Sequence, residues 1–446
     1  MLKGLAYALV WFSFICPNVS AGALPEDALY AFKIVDLSND TVVAEHNASM
    51  PMTPASTLKT LTFYLALKQL GSGFHFNTEA LYFQEALYLK LAGDPTLRAV
   101  DLEALIDIAL TQVRGKVKKI YLDGDMFGIE PHAPGVGVDN LKFAFAAGTT
   151  GYILDHGFVS LKKSAHQPYY IADSAYGRLL KISFDARVSM EERCELELGG
   201  AGYNKYQIYG CYNAAAAPDV LKVAISDQSH YMREAVLLMA KKRGISHVGI
   251  AHTPVAAKPL ALHQSKPIEK LLQEMMAKSN NQIANALVKT MAYRHYKAPV
   301  SWSMLERFIK EALPLELSSH SNVRIVDGAG LSHHNKVHAD FMMTLLKCIY
   351  QEPEQQEIFL NIAANNRVNG ESTFAGRLEE ISHAIYAKTG SLNYTSGLVG
   401  MIAGPQSPQT PRYGFIILTN NNMSDSKGMK QVEEEWLKSH LKGMVN

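Results

Sequence analysis

Pro54-Ala55-Ser56-Thr57-Leu58-Lys59-Thr60 runs directly into the apolar stretch Leu61-Thr62-Phe63-Tyr64-Leu65-Ala66-Leu67. Pro54 restricts Thr53 to extended backbone, and Leu58, Leu61 and Leu65 recur at three- and four-residue intervals, so the sequence predicts a central helix beginning near Ser56. On such a helix Ser56 and Lys59 share one face, with Cβ atoms roughly 5–6 Å apart. A serine hydroxyl is a poor nucleophile until a base takes its proton, and a lysine kept out of water can lose its own proton and serve as that base. Apolar residues on every side of the run predict a buried helix. A serine three residues before a lysine is also a common helix start, so the pair takes its meaning from what lies downstream.

The chain has 446 residues, enough for two or three domains, with 48% hydrophobic and 19% charged residues, an ordinary globular balance. A formal net charge of +1, with no basic run interleaved with aromatics, gives no reason to expect a nucleic-acid partner. Residues 1–21 read as a signal peptide: Lys3 supplies a positive start, Leu5 to Cys16 is nearly unbroken apolar sequence, and Val19-Ser20-Ala21 offers small residues for cleavage after Ala21 or Ala23. An uncleaved anchor is the alternative. Either way the expected location is periplasmic or otherwise extracytoplasmic. In that oxidising setting Cys194 and Cys211, both in strand-like sequence, are the expected disulfide, and Cys348 reads as a buried free thiol. No cysteine and histidine spacing resembles a metal site; His334 and His338 read as loop histidines, and no cofactor is expected.

Tyr30–Val35 and Thr41–Ala44 read as a hairpin. Leu87–Leu91, a helix over Leu102–Val113 and Lys119–Leu122 read as one α/β unit, and Leu221–Ile225, Met232–Lys242 and His247–Ala251 as another. Between them, residues 157–212 alternate in strand fashion. The expected organisation is therefore a catalytic domain from 22–85 and 258–446, an inserted α/β domain from 86–156 and 213–257, and a β domain at 157–212 nested within it. Helices over Ile268–Ala277 and Gln282–Tyr293, strands over Ala384–Ala387, Gly397–Ile402 and Tyr413–Leu418, and a last helix presenting Met429, Trp436, Leu437 and Leu441 complete the catalytic domain.

Two further short motifs follow. Lys278-Ser279-Asn280-Asn281 precedes an apolar helix, where Ser279 alone would read as a cap, and Lys388-Thr389-Gly390-Ser391 stands at a strand end. Ser279 lies 223 residues beyond Ser56, and Lys388 a further 109 beyond Ser279. With Ser-x-x-Lys, Ser-x-Asn and Lys-Thr-Gly in this order, the chain resembles the penicillin-recognising serine acyltransferases. The long first interval, with Leu91-Ala92-Gly93-Asp94-Pro95-Thr96-Leu97 and Asp327-Gly328-Ala329-Gly330-Leu331-Ser332, narrows the resemblance to the class C low-molecular-mass, penicillin-binding protein 4 type D-alanyl-D-alanine carboxypeptidase/endopeptidases.

The resemblance implies an α/β (α+β) β-lactamase/transpeptidase-like fold, with an antiparallel sheet flanked by helices. It implies Ser56 as nucleophile, Lys59 as base, Ser279 as proton carrier to the leaving amine, and Asn281 as holder of Lys59 and the substrate amide. Lys388 and Thr389 would bind the terminal carboxylate, Gly390 would admit the substrate backbone, and the N–H groups of Ser56 and Ser391 would form the oxyanion hole. Leu331 and His333 would line the pocket for the stem-peptide side chain. The implied partners are peptidoglycan stem peptides as substrate and β-lactam antibiotics as inhibitors; peripheral association with membrane or wall, and homo-oligomerisation, stay open.

The sequence departs from the family in three places. Ala329 stands where serine is usual, His333 replaces an expected arginine, and Tyr152–Gly157 follows the family loosely. His334 or Lys336 is the alternative to His333 for the side-chain pocket. Two other readings compete: a β-lactamase-like hydrolase, for which no water-activating acidic motif follows Ser279, and a cell-wall scaffold or sensor, which loss of a catalytic side chain would favour. None is lost.

Overall fold

Every position of Thr395–Ala403 is buried, because this strand lies inside a six-stranded antiparallel sheet covered by helices on both faces. The computed structural model describes residues 28–441 except 114–115, 164–168, 173–174, 190, 192–193, 214, 216, 368–371 and 424–425. The expected signal peptide lies outside the described residues. The sheet runs in the order Ala364–Asn365, Ala384–Leu392, Thr395–Ala403, Pro411–Asn420, Leu29–Asp36, Thr41–His46. Because side chains alternate across a strand, Val399, Met401, Ile416 and Leu418 face a core shared with Phe63, Leu287 and Phe341. Leu398, Ile402, Phe415 and Ile417 face the other way, against Trp436, Leu437 and Leu441 of the last helix, Ser426–Leu441.

The apolar run after Ser56 forms the helix Lys59–Leu70, buried at every position from Lys59 to Ala66. It is preceded by a 3₁₀ turn, Ala55–Leu58, rather than by α-helix from Ser56 onward. Thr57 N–H donates to Pro54 O at 3.3 Å and Thr57 Oγ1 to the same oxygen at 2.6 Å, which tightens the chain into this turn. In 3₁₀ geometry residues three apart eclipse, so the turn aligns Ser56 with Lys59 more directly than an α-turn would.

A five-stranded sheet has the order His247–Ile250, Lys119–Asp123, Ala86–Lys90, Asn77–Phe83, Lys258–Gln264. It joins Asn77–Phe83 and Lys258–Gln264 to Ala86–Lys90 across the boundaries expected at 85/86 and 257/258. The cause is a tight hairpin at Gln84 and Glu85, both at positive φ (48° and 64°), which folds Phe83 onto Ala86. Two-residue turns of this kind favour Asn and Gly, and neither is present to signal it.

Leu221–Ile225 also sits elsewhere than expected. Val220–Ala224 pairs antiparallel with Phe158–Lys162, placing Leu221 opposite Leu161 and Val223 opposite Val159, so apolar cross-strand pairs draw it out of the α/β sheet. Lys181–Val188, Lys205–Tyr212 and Leu196–Gly202 form a separate three-stranded sheet. There Cys194 and Cys211 are disulfide-bonded with Cα atoms 5.1 Å apart, as the sequence predicts. Cys348 is free, and half-buried rather than buried.

Candidate active site

Between Met52 and Ala66, Ser56 alone is not buried. Its hydroxyl sits on the 3₁₀ turn, 2.9 Å from the Nζ of Lys59. Lys59 is fully enclosed, and its amine makes two more contacts, to Asn281 Oδ1 at 2.6 Å and to the backbone carbonyl of Ala329 at 2.7 Å. Burial holds its pKa well below the ordinary lysine value, the nearby Lys388 lowers it further, and Asp327 partly opposes them. An ammonium offers three donors, whereas a neutral amine offers two donors and a lone pair. With two carbonyl oxygens accepting two of its N–H groups, the amine in its neutral form would turn its lone pair toward Ser56.

The orientation of Asn281 is fixed from behind. Its Nδ2 donates to the Phe145 carbonyl at 2.6 Å, which leaves Oδ1 for Lys59. Asn281 opens the helix Asn281–Tyr296, whose N-cap is Asn280, accepting from Ile283 N–H at 3.2 Å. The cap is therefore Asn280, and Ser279 is released from that duty; it is held at φ 56°, a left-handed conformation uncommon for serine. The same helix holds the neighbouring backbone further along: Gln282 Nε2 donates to Gly148 O at 2.7 Å and Lys289 Nζ to Thr149 O at 3.0 Å.

Asp327-Gly328-Ala329-Gly330-Leu331-Ser332 forms the floor. Buried Asp327 accepts the N–H groups of Ala329, Gly330 and Ser332 and the Nδ2 of Asn335, curling the loop so that the Ala329 carbonyl points at Lys59. The contact uses backbone, so alanine in place of the family's serine leaves it intact. Gly330 has φ +75°, and a Cβ there would lie 1.8 Å from Ala55 O, so only glycine lets this loop pass under the nucleophile turn. Leu331 packs in the main core. His333 is exposed, with its N–H donating to Gly135 O at 3.0 Å; desolvation first, then Lys336 and His334, lower its pKa. Lys336 reaches Thr53 Oγ1 at 2.7 Å, and His338 caps the helix Ala339–Gln351.

The third wall is the strand Ala384–Leu392. A Cβ on Gly390 would meet Pro54 O at 2.9 Å and Thr57 N at 3.1 Å, so glycine allows the strand to lie against the nucleophile turn. On its outer side Ala364–Asn365 pairs only with Ala387 and Tyr386. Among the described residues no strand covers Lys388–Leu392 there, and an extended peptide could add at that edge. Lys388 is fully buried, donates to Thr389 O at 2.8 Å, and has its pKa brought down to about 7 by burial. Ser391 is exposed.

Sequence reading missed the carbonyls of Ala329 and Phe145, because backbone acceptors have no residue signature. The Asp-Gly-x-Gly composition, typical of side-chain-capped turns, is the signal that could have marked the first.

An antiparallel sheet between helical layers, with a serine and lysine at the start of a buried helix, defines the β-lactamase/transpeptidase-like class. The chain belongs to the D-Ala-D-Ala carboxypeptidase 3 (S13) family, whose model matches residues 19–439. It is 25% identical over 445 residues to the D-alanyl-D-alanine carboxypeptidase DacB of Haemophilus influenzae, spanning 93% of this chain and 91% of that protein. It is 26% identical over 437 residues to a D-alanyl-D-alanine carboxypeptidase of Actinomadura, spanning 89% and 78%. The crystal structure of penicillin-binding protein 4 from H. influenzae superposes with a TM-score of 0.80 at 25% identity, covering 96% of this chain and 99% of that one.

Proposed function

We propose that this protein is a serine D-Ala-D-Ala carboxypeptidase/endopeptidase acting on peptidoglycan stem peptides through an acyl-enzyme on Ser56. The observation that carries the proposal is the buried Lys59 amine held between Ser56, Asn281 and the Ala329 carbonyl. Neutral Lys59 takes the Ser56 proton as Oγ attacks the amide carbon, and the N–H groups of Ser56 and Ser391 stabilise the oxyanion. Collapse expels D-alanine or a cross-linking amine, which takes a proton through Ser279 because an amide nitrogen leaves poorly as an anion. Water then releases the shortened peptide. Lys388 and Thr389 receive the terminal carboxylate, and His333 stands by the stem-peptide side chain.

β-Lactams mimic the same amide and inhibit by forming a slowly hydrolysed ester on Ser56. The β-lactamase alternative needs a free carboxylate to activate water; Asp327, beside the site, has both oxygens engaged by N–H groups. The chain divides into a catalytic unit and an insert running from Asn77–Phe83 to Lys258–Gln264, and acts outside the cytoplasm after export. Among the described residues no helix is long and apolar enough to cross a membrane.

Intact mass after benzylpenicillin tests the reading. Wild type should gain one penicilloyl group, Ser56→Ala none and Lys59→Ala almost none. Labelling that persists in Ser56→Ala removes the proposal.

A further inference from the structure

Thr373 is exposed while the segment that carries it is firmly anchored. Phe374, next in sequence, is fully buried on the outer face of the sheet. Arg377 lies 5.4 Å over the Phe374 ring and donates to Glu433 at 3.0 Å and Glu434 at 2.6 Å, both on the last helix. From this fixed loop Thr373 reaches two walls of the site. Its N–H donates to Ala277 O at 3.0 Å, two residues before Ser279. Its Oγ1 accepts from Thr389 Oγ1 at 2.6 Å.

A hydroxyl has one proton to donate. Thr389 gives its proton to Thr373, so the Thr373 proton is directed elsewhere, from an exposed position beside the Lys388-Thr389-Gly390 strand. Lys388, in contrast, is enclosed, and its amine donates to Thr389 O. An anion arriving at this strand therefore meets hydroxyls first, with the lysine charge behind them.

We infer that Thr373 is a specificity-determining residue whose hydroxyl donates to the terminal carboxylate of the substrate and of penicillin, with Thr389 behind it as the donor that orients it. Thr389 donating to Thr373 strengthens the Thr373 proton as a donor, because hydrogen bonds in a chain polarise one another. The inference rests on the proposed reception of that carboxylate at Lys388-Thr389.

The test is a ratio. Second-order acylation rates with benzylpenicillin and with its methyl ester, in which the carboxylate is masked, are measured on wild type, Thr373→Val and Thr373→Ser. Thr373→Val should slow benzylpenicillin by about tenfold, as expected for a lost hydrogen bond to a charged group, and leave the ester unchanged. Thr373→Ser should restore the wild-type ratio, and for a D-Ala-D-Ala peptide Thr373→Val should raise KM with little change in kcat. Both reagents act on one preparation, so the folded fraction cancels. Equal slowing of both reagents, or an unchanged ratio in Thr373→Val, overturns the inference alone. A wild type that reacts equally with both overturns the carboxylate reading and the inference with it.

Discussion

Lys59 and Asn281, 222 residues apart in sequence, meet at 2.6 Å between Nζ and Oδ1. Because the Asn281 amide nitrogen is occupied by Phe145 O, the oxygen facing Lys59 takes an N–H of the amine whether or not the amine is charged.

Replacing that oxygen with a charged one should disable the base while keeping its shape. In Asn281→Asp an anion beside Lys59 raises the lysine pKa, so the share of neutral Lys59 at pH 7 falls. Penicillin acylation should fall accordingly and recover as pH rises, whereas Asn281→Ala should show no such recovery. Stopped-flow acylation across pH decides it, and a pH profile parallel to wild type would exclude the mechanism.

Lys289 gives a stability prediction with a definite sign. It is fully buried between the Phe127 and Trp302 rings, and burial brings its pKa to about 7, against an unfolded value near that of free lysine. Between about pH 7 and the unfolded value of about 10.4 the unfolded chain binds more protons at this site, so its contribution to stability rises with pH across that window. Lys289→Met removes the term. The melting temperature of wild type relative to Lys289→Met should therefore climb from pH 7 to pH 9.5, and a constant difference would refute the assignment.

The Cys194–Cys211 bond closes a loop with a sequence separation of 17, at the base of the hairpin Leu196–Gly202 and Lys205–Tyr212. In the chain-entropy model such a closure stabilises by about 3 kcal/mol. Reduction should increase hydrogen exchange in this hairpin and leave penicillin labelling of Ser56 unchanged. Lost labelling on reduction would mean that the small sheet supports the active site directly.

His333 is exposed at the loop that carries Leu331, and its lowered pKa keeps it neutral at pH 7. Any help it gives to a side-chain carboxylate must therefore appear below about pH 6.5, the ordinary histidine value. Cleavage of a diaminopimelate peptide, relative to penicillin acylation, should improve as pH falls through that region, and His333→Arg should flatten the trend. Parallel profiles in both proteins would remove His333 from substrate contact.

The chemistry-bearing residue types and their order are readable from the sequence because each motif is local. Ser56 and Lys59 are three residues apart, the run after them is apolar on all sides, and the strand-like sequences around Cys194 and Cys211 alternate. The central sheet strands are legible as short apolar runs, since both faces of the sheet are covered and nearly every position along them is buried. Tertiary structure decided the contacts between segments far apart in sequence. The Ala329 and Phe145 carbonyls are backbone groups that any residue could supply, and only the curl around Asp327 and the grip of Asn281–Tyr296 on Gly148 and Thr149 bring them to Lys59 and Asn281. The hairpin at Gln84 and Glu85 carries the five-stranded sheet across the expected boundary at 85/86 without any turn signal, because pairing of the flanking strands holds two positive-φ residues in place. Local chemistry writes the motifs; long-range packing chooses which backbone oxygens and hydroxyls face them.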